Sequence, residues 1–358
     1  MPTLGELVKI LEGYFPTDWQ EKWDNSGLLT GDLLQPIEKI IVTVDITESV
    51  VREAVTWGAS LIVAHHPLVF RPLKRLVEYS WVERTLLLAI RENIALYCAH
   101  TNVDVAPEGL NAYIGRQMGL QHMEVLRPHR RFWKVITYAP PSAVDSVRRA
   151  MWNAGGGRLP GKAYDRVSFL ASGQGTHALV EATSPSTTEE VRIESVVDDA
   201  FLQDVLAAVR AEHPYQEPVI DIFEINSLTS GRGLGIVGNL SNPLKYPAFL
   251  KWVKEIFDTP TLQYTPPIAK HIQRVAFVGG SGASLLEDAV RAKADVFITA
   301  DVKYHQFFES IGRIALISLN HYDSEKAVMD LLLKIIQRKF PNIAARKTHV
   351  DTNPIAYF

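Results

Sequence analysis

The sequence contains a single cysteine, Cys98, among 358 residues. One thiol closes no intrachain disulfide and builds no thiolate-rich zinc cluster, and this scarcity fits a reducing compartment. Charge of one sign is also lacking. The 37 Lys and Arg nearly balance the 40 Asp and Glu, and the net charge of −3 supplies no global field to recruit nucleic acid or an anionic membrane. Long apolar runs are missing as well: His65 and His66, Arg91 and Glu92, and Lys334 interrupt the best stretches before any reaches bilayer length. The amphipathic start, with Glu6 and Lys9, lacks the shape of a signal peptide. These absences predict a cytoplasmic protein with no membrane partner. What is present, 47% hydrophobic and 22% charged residues, is the composition of a folded globular chain, and its length suits two or three domains of roughly 100–200 residues each.

Short runs rich in Ile, Val and Leu occur at residues 39–47, 60–66 and 94–100, separated by stretches of helical spacing at 48–58 and 82–93. A second set lies at 274–279, 294–301 and 313–320. This alternation predicts two similar βαβ halves with largely parallel sheets. Between them the texture changes near residue 127. Strands are expected at 134–139, 166–171, 177–182, 191–197 and 219–225, with helices near 142–154 and 199–212. The predicted organisation is an α/β core in two halves, residues 1–127 and 229–358, with an inserted α+β domain, residues 128–228. The Gly-, Ser- and Asn-rich run 226–243 reads as the exit loop of the insert.

Ligands of open α/β sheets collect beyond the carboxyl ends of strands. The residues at those ends here are of metal-ligand type. One strand runs into His65, His66 and Pro67, another into His100 and Asp104, and a third into Asn320 and His321 with Glu325 four residues on. Neighbouring histidines on an extended chain point to opposite sides, so one ion would not use both. Two ions could take one imidazole each, bridged by a carboxylate, and Glu325 is the bridging candidate. It is expected at the start of a helix whose apolar face is Val328, Leu331, Leu332, Ile335 and Ile336, where the helix dipole favours an acid. If the turn reaches back to His321, the spacing of four puts both on one face. His100 is either a ligand or a group that orients one. Asp45 reads more simply as a turn residue.

Other features carry less. Residues 233–238 (GLGIVG) match a dinucleotide fingerprint by letter, but no apolar strand precedes them and no helix is expected to follow. Residues 279–282 (GGSG) lie between a strand and a helix and are equally an anion-binding turn or a plain tight turn. Asp301, Lys303, Tyr304 and His305 are candidates for proton transfer or ligand support, or simply for surface and packing roles. Cys98 reads as core. Arg127, Arg130, Arg131 and Lys134, with Phe132 and Trp133, are a weak indication of nucleic-acid binding and fit a solvated linker better.

Taken together, residues 23–27 (WDNSG), 65–67 (HHP), 100–104 (HTNVD), 279–282 (GGSG), 294–301 (ADVFITAD), 303–305 (KYH), His321 and Glu325 resemble the GTP cyclohydrolase I type 2 homolog family, the NIF-three-like dinuclear metal centre proteins, over nearly the whole chain. Asn320 stands where many members carry Gly. Residues 155–158 (GGGR) and 213–218 (HPYQEP) resemble motifs of the insert in longer members, which is ferredoxin-like and similar to the PII and CutA proteins. The resemblance implies a toroidal homohexamer and a site of two divalent ions (Zn, Fe, Mn, Ni or Co) held by His65, His66, Asp104, His321 and Glu325, with His100 close by. It further implies a metal-dependent hydrolase acting on a nucleotide or phosphoester through a metal-bridging hydroxide. The competing expectation is a non-catalytic metal-containing scaffold or regulator whose insert senses a ligand.

Overall fold

A computed structural model describes residues 1–159, 164–177, 184–225 and 231–357. The chain divides into two compact units, one of Met1–Arg127 with Gly233–Phe358 and one of Pro128–Arg232.

The larger unit holds two sheets of like construction. In the first, three parallel strands, Lys39–Thr43, Leu61–Ala64 and Ala95–Cys98, pair in sequence order, and the short Gly27–Thr30 lies antiparallel on the outer edge of the last. In the second, His271–Phe277, Val296–Ala300 and Ala315–Leu319 repeat the pattern, with the antiparallel Gln263–Tyr264 at the edge. Each half also lends a strand to the other. Ala344–Lys347 pairs parallel with Lys39–Thr43, and Gln121–Pro128 joins the second sheet beside Gly233–Lys245. The exchange ties the two halves into one unit.

The parallel strands read as unbroken apolar runs because both of their faces are covered. Leu61 and Val63 enter one core, together with Phe277, Ile298 and Ile317 of the second sheet, whereas Ile62 and Ala64 enter another with Val50, Val51 and Leu86. Local signals start and stop the crossover helices. The Thr47 side chain accepts from Val50 N at the head of Glu48–Trp57, and Gly58 ends that helix at φ 74°. Ser80 and Glu83 form a capping box at Trp81–Arg91.

The smaller unit runs Phe132–Ala139, Val144–Asn153, Ser168–His177, Ser186–Asp198, Leu202–Glu212, Ile220–Glu224, a βαββαβ order. Its four-stranded antiparallel sheet places the second strand, third, first and fourth side by side, the ferredoxin-like arrangement. Val147, Met151, Val205 and Val209 of its two helices cover Val135, Ile193 and Val197 of the sheet.

Two expectations need correction. Residues 233–243 are not an exit loop but part of the strand Gly233–Lys245, which pairs antiparallel with His271–Phe277. Burial of Ile236, Val237 and Leu240 outweighs the poor strand propensity of Gly, Asn and Ser, and a register shift between Asn239 and Leu244 absorbs Pro243. The strand expected at 177–182 falls mostly on residues outside those described. Glu325 does not open the long helix Val328–Lys339; it closes a separate short helix, His321–Glu325, so the dipole argument for it does not apply. Asn320 caps that short helix, its side chain accepting from Tyr322 N at 3.0 Å, in ordinary extended backbone that does not call for glycine.

Candidate metal centre

The strand ends of both sheets converge on one cluster. His65 and His66 leave Leu61–Ala64 with their amides held by Val44 O, at 3.2 and 2.9 Å. Both stand just beyond the end of the strand, so the pleat does not send them to opposite sides as expected: their rings lie 4.9 Å apart, with His65 fully buried and His66 reaching a pocket. His100 follows Ala95–Cys98, and Asp104 ends the turn after it. Asn111 fixes that turn to the other half: its Nδ2 donates to Asp104 O at 2.9 Å and its Oδ1 accepts from Gly279 N at 2.9 Å. His321 and Glu325 bracket the short helix after Ala315–Leu319, one turn apart.

Each of the four imidazoles has its Nδ1 committed to an oxygen that can only accept. His65 Nδ1 donates to Ala99 O at 2.7 Å, His66 to Asp45 Oδ1 at 2.7 Å, His100 to Asp24 Oδ1 at 2.7 Å and His321 to Asp301 Oδ2 at 2.6 Å. These partners fix the Nδ1–H form and leave the four Nε2 atoms as the free basic positions. The Nε2 atoms of His66 and His321 lie 2.9 and 3.0 Å from Glu325 Oε2 and 3.3 Å from each other. His65 Nε2 stands 3.7 Å from the same oxygen and 3.8 Å from Asp104 Oδ1. The rings of His65 and His66 lie 5.4 and 5.5 Å from that of His100.

Lone pairs thus face lone pairs, an arrangement that needs cations among them. Two buried atoms of the cluster, His65 Nε2 and Asp104 Oδ1, have no hydrogen-bond partner among the described residues. Protons supply part of the missing positive charge. Burial pushes the His66 imidazole down, but hydrogen bonds to Asp45 and Glu325 and their charges overcome it and raise the pKa to about 10. The same balance, with Asp301 and Glu325, raises His321 to about 11. Burial, then the charge of Glu325, pushes Asp104 up to about 8. Burial also opposes ionisation of Glu325, yet the surrounding imidazoles hold it well below the ordinary carboxylate value. His65, His66 and Glu325 offer three ligand atoms within 4.8 Å of one another, a candidate metal-binding triad, and the donor set fits a divalent cation.

The aspartates behind the imidazoles were not all legible as such. Asp45, read as a turn residue, is the acceptor of His66, and its Oδ2 accepts from Thr352 Oγ1 at 3.1 Å. Asp24 also receives Thr101 N at 3.1 Å, and burial is outweighed there by His100, so its pKa is lowered. Asp301, held below its ordinary pKa by the hydrogen bond from His321, also accepts from Ser281 Oγ. Losing such an outer hydrogen bond lowers metal affinity by about 10- to 100-fold. Asp45→Asn is expected to fall in that range in a competition titration with a chromophoric chelator, while far-ultraviolet circular dichroism stays unchanged.

The remaining sequence candidates lie elsewhere or are otherwise engaged. Arg127 Nε donates to Asp288 at 2.7 Å, Arg130 pairs with Asp198 at 3.5 Å, Arg131 with Glu224 at 3.8 Å and Lys134 with Glu194 at 2.9 Å, so all four basic residues have acidic partners. Cys98 is buried in its strand, and burial raises its thiol pKa. Tyr304 and His305 begin the helix Tyr304–Ser310 and have no part in the cluster. Among the described residues no helix is long and apolar enough to cross a membrane.

Fold and cluster together define an α/β protein with a candidate metal centre at the strand ends of paired βαβ halves and a ferredoxin-like second unit. The chain belongs to the Duf34/NIF3 (NGG1p interacting factor 3) family, whose model matches residues 2–354. A GTP cyclohydrolase 1 type 2 homolog of Halalkalibacterium halodurans is 32% identical over 360 residues, covering 98% of this chain and 95% of that protein. The homolog of the same name in Bacillus subtilis is 29% identical over 370 residues and is covered to 98% in both directions. The crystal structure of a Bacillus cereus protein related to NIF3 superposes with a TM-score of 0.68 at 29% identity, covering 100% of this chain and 99% of that one.

Proposed function

We propose that this chain is a metal-dependent hydrolase of a nucleotide or another phosphoester, with two divalent cations held by His65, His66, His100, Asp104, His321 and Glu325. The observation that carries the reading is the unpartnered pair His65 Nε2 and Asp104 Oδ1 in a cluster whose His66, His100, Asp104, His321 and Glu325 line an open pocket of about 660 Å³. A structural metal site closes around its ion, whereas this one meets a cavity large enough for a small molecule. Divalent cations in such a site supply Lewis acidity and bring a water pKa towards neutrality.

The chain's own contribution is positional. Glu325 lies between His66 and His321 and is the natural bridge, Asp104 and His65 face each other across the buried side, and the outer aspartates hold the rings in the required tautomer. Imidazole and carboxylate without thiolate suit Zn, Fe, Mn, Ni or Co. The name shared by the relatives supports a nucleotide substrate. The toroidal homohexamer implied by the family likeness belongs to the same proposal.

The test is turnover by purified full-length protein, equilibrated with each of these ions, against nucleoside phosphates and generic phosphoesters. Metal-dependent hydrolysis lost in Glu325→Gln is the expected result. Bound metal with no turnover of any of these compounds would leave a scaffold or regulator instead.

A further inference from the structure

Two large aromatic side chains at this pocket have no part in holding a cation. Trp23 is 57% exposed and Phe70 46% exposed, both in loops, and both line the cavity beside His66 and His100. Their rings lie 5.6 Å apart at 48°. Each also stands nearly edge-on to the His100 imidazole, Trp23 at 6.0 Å and Phe70 at 6.3 Å. They thus form a continuous aromatic wall that reaches the candidate centre.

Loop side chains this exposed are ordinarily free to move, but the backbone carrying these two is pinned. Asn25 Nδ2 donates to Val69 O at 2.6 Å, which ties the loop that carries Trp23 to the residue before Phe70. Asp24, adjacent to Trp23, is fixed by His100 Nδ1 at 2.7 Å, and Ser26 N donates to Gln20 Oε1 at 2.7 Å. Keeping two aromatic faces in water forgoes the burial that such residues normally gain. Holding them rigid beside the functional groups is the arrangement used to stack planar rings. Across the cavity the surface is small and polar, with Gly279, Ser281, Gly282 and Ser284. Leu234, Val278 and Leu285 add apolar surface to the lining, but Trp23 and Phe70 are its two large flat aromatic side chains.

We infer that Trp23 and Phe70 bind the planar heteroaromatic ring of the substrate, a nucleobase-sized system, and so determine specificity. This rests on the cavity being the substrate site of the proposed hydrolase. Neither Trp23 nor Phe70 offers a ligand atom to the ions, but both pack edge-on against His100, so the metal content of each variant is measured before its nucleotide affinity is compared.

The experiment is calorimetric titration of metal-loaded full-length protein with AMP, GMP and ribose 5-phosphate, with tryptophan fluorescence recorded in parallel. Stacking of one base on an aromatic ring strengthens binding by roughly ten- to hundredfold. Both mononucleotides should bind at least about tenfold tighter than ribose 5-phosphate. Trp23→Ala and Phe70→Ala should each lower mononucleotide affinity towards that of the sugar phosphate. Trp23→Phe should retain most of the affinity and lose the fluorescence quenching. Equal affinity of the wild type for all three ligands overturns the inference. So does a folded Trp23→Ala with unchanged mononucleotide affinity, or one altered only in its mass by light scattering, which would make the wall a contact between copies. Hydrolysis of sugar phosphates without base preference would sink the wall and leave the hydrolase. Base-dependent binding without turnover of any phosphoester would do the reverse.

Discussion

Glu325→Gln should bind zinc or manganese at least about 100-fold more weakly than the wild type, a loss of about 2.7 kcal/mol. The reason lies in how many atoms depend on one oxygen. Glu325 Oε2 is within 3.0 Å of two imidazole nitrogens and 3.7 Å from a third, with its side chain only 5% exposed. A neutral amide keeps the size but not the charge, and its NH2 group can turn a donor towards the Nε2 lone pairs that a cation needs. The measurement is metal content by mass spectrometry after dialysis against a buffered free-metal concentration, with circular dichroism as a check on folding. His66→Ala is the companion variant, since it removes a ligand candidate without altering the carboxylate. Full retention of metal by both variants, each folded, would defeat the assignment of the centre to these residues.

The sequence made the scaffold legible wherever a physical requirement has a short period. Strands buried on both faces must be apolar throughout, so Leu61–Ala64 and Ala315–Leu319 announce themselves, and the residues that end them are the ones brought together. The supports of those residues have no such signature. Asp45 meets His66 across 21 positions and Asp24 meets His100 across 76, and a hydrogen bond between distant loops imposes no pattern on either. Gly233–Lys245 was illegible for the opposite reason. Its residues are poor strand formers, and only the neighbouring strand and the core beneath make it one. Glu325 was expected on the correct side of the molecule but in the wrong helix, because periodicity does not reveal the break at Lys326 and Ala327 between two helices.

Gly280→Ala should disturb the same carboxylate from the other side. Gly280 adopts φ 63°, and a Cβ there would stand 2.1 Å from Glu325 Oε1 and 3.4 Å from the His321 ring. The loop has little room to yield. Gly280 N donates to Ser324 Oγ at 2.9 Å, and Gly280 O accepts from Ala300 N at 2.9 Å and from Thr299 Oγ1 at 3.0 Å. Either these bonds break or Glu325 leaves the two imidazoles, so metal affinity should fall by about tenfold or more, beyond the roughly 1 kcal/mol that a left-handed alanine costs the fold. Gly312→Ala separates the two effects. Gly312 has φ 74° with no atom of the described residues within 4 Å of the added Cβ, so it carries the backbone strain alone. Chelator competition and thermal melting of both variants decide the matter: similar destabilisation with metal loss only in Gly280→Ala places the glycine requirement in the space the carboxylate occupies, whereas equal metal binding by the two variants shows that Glu325 can move without consequence.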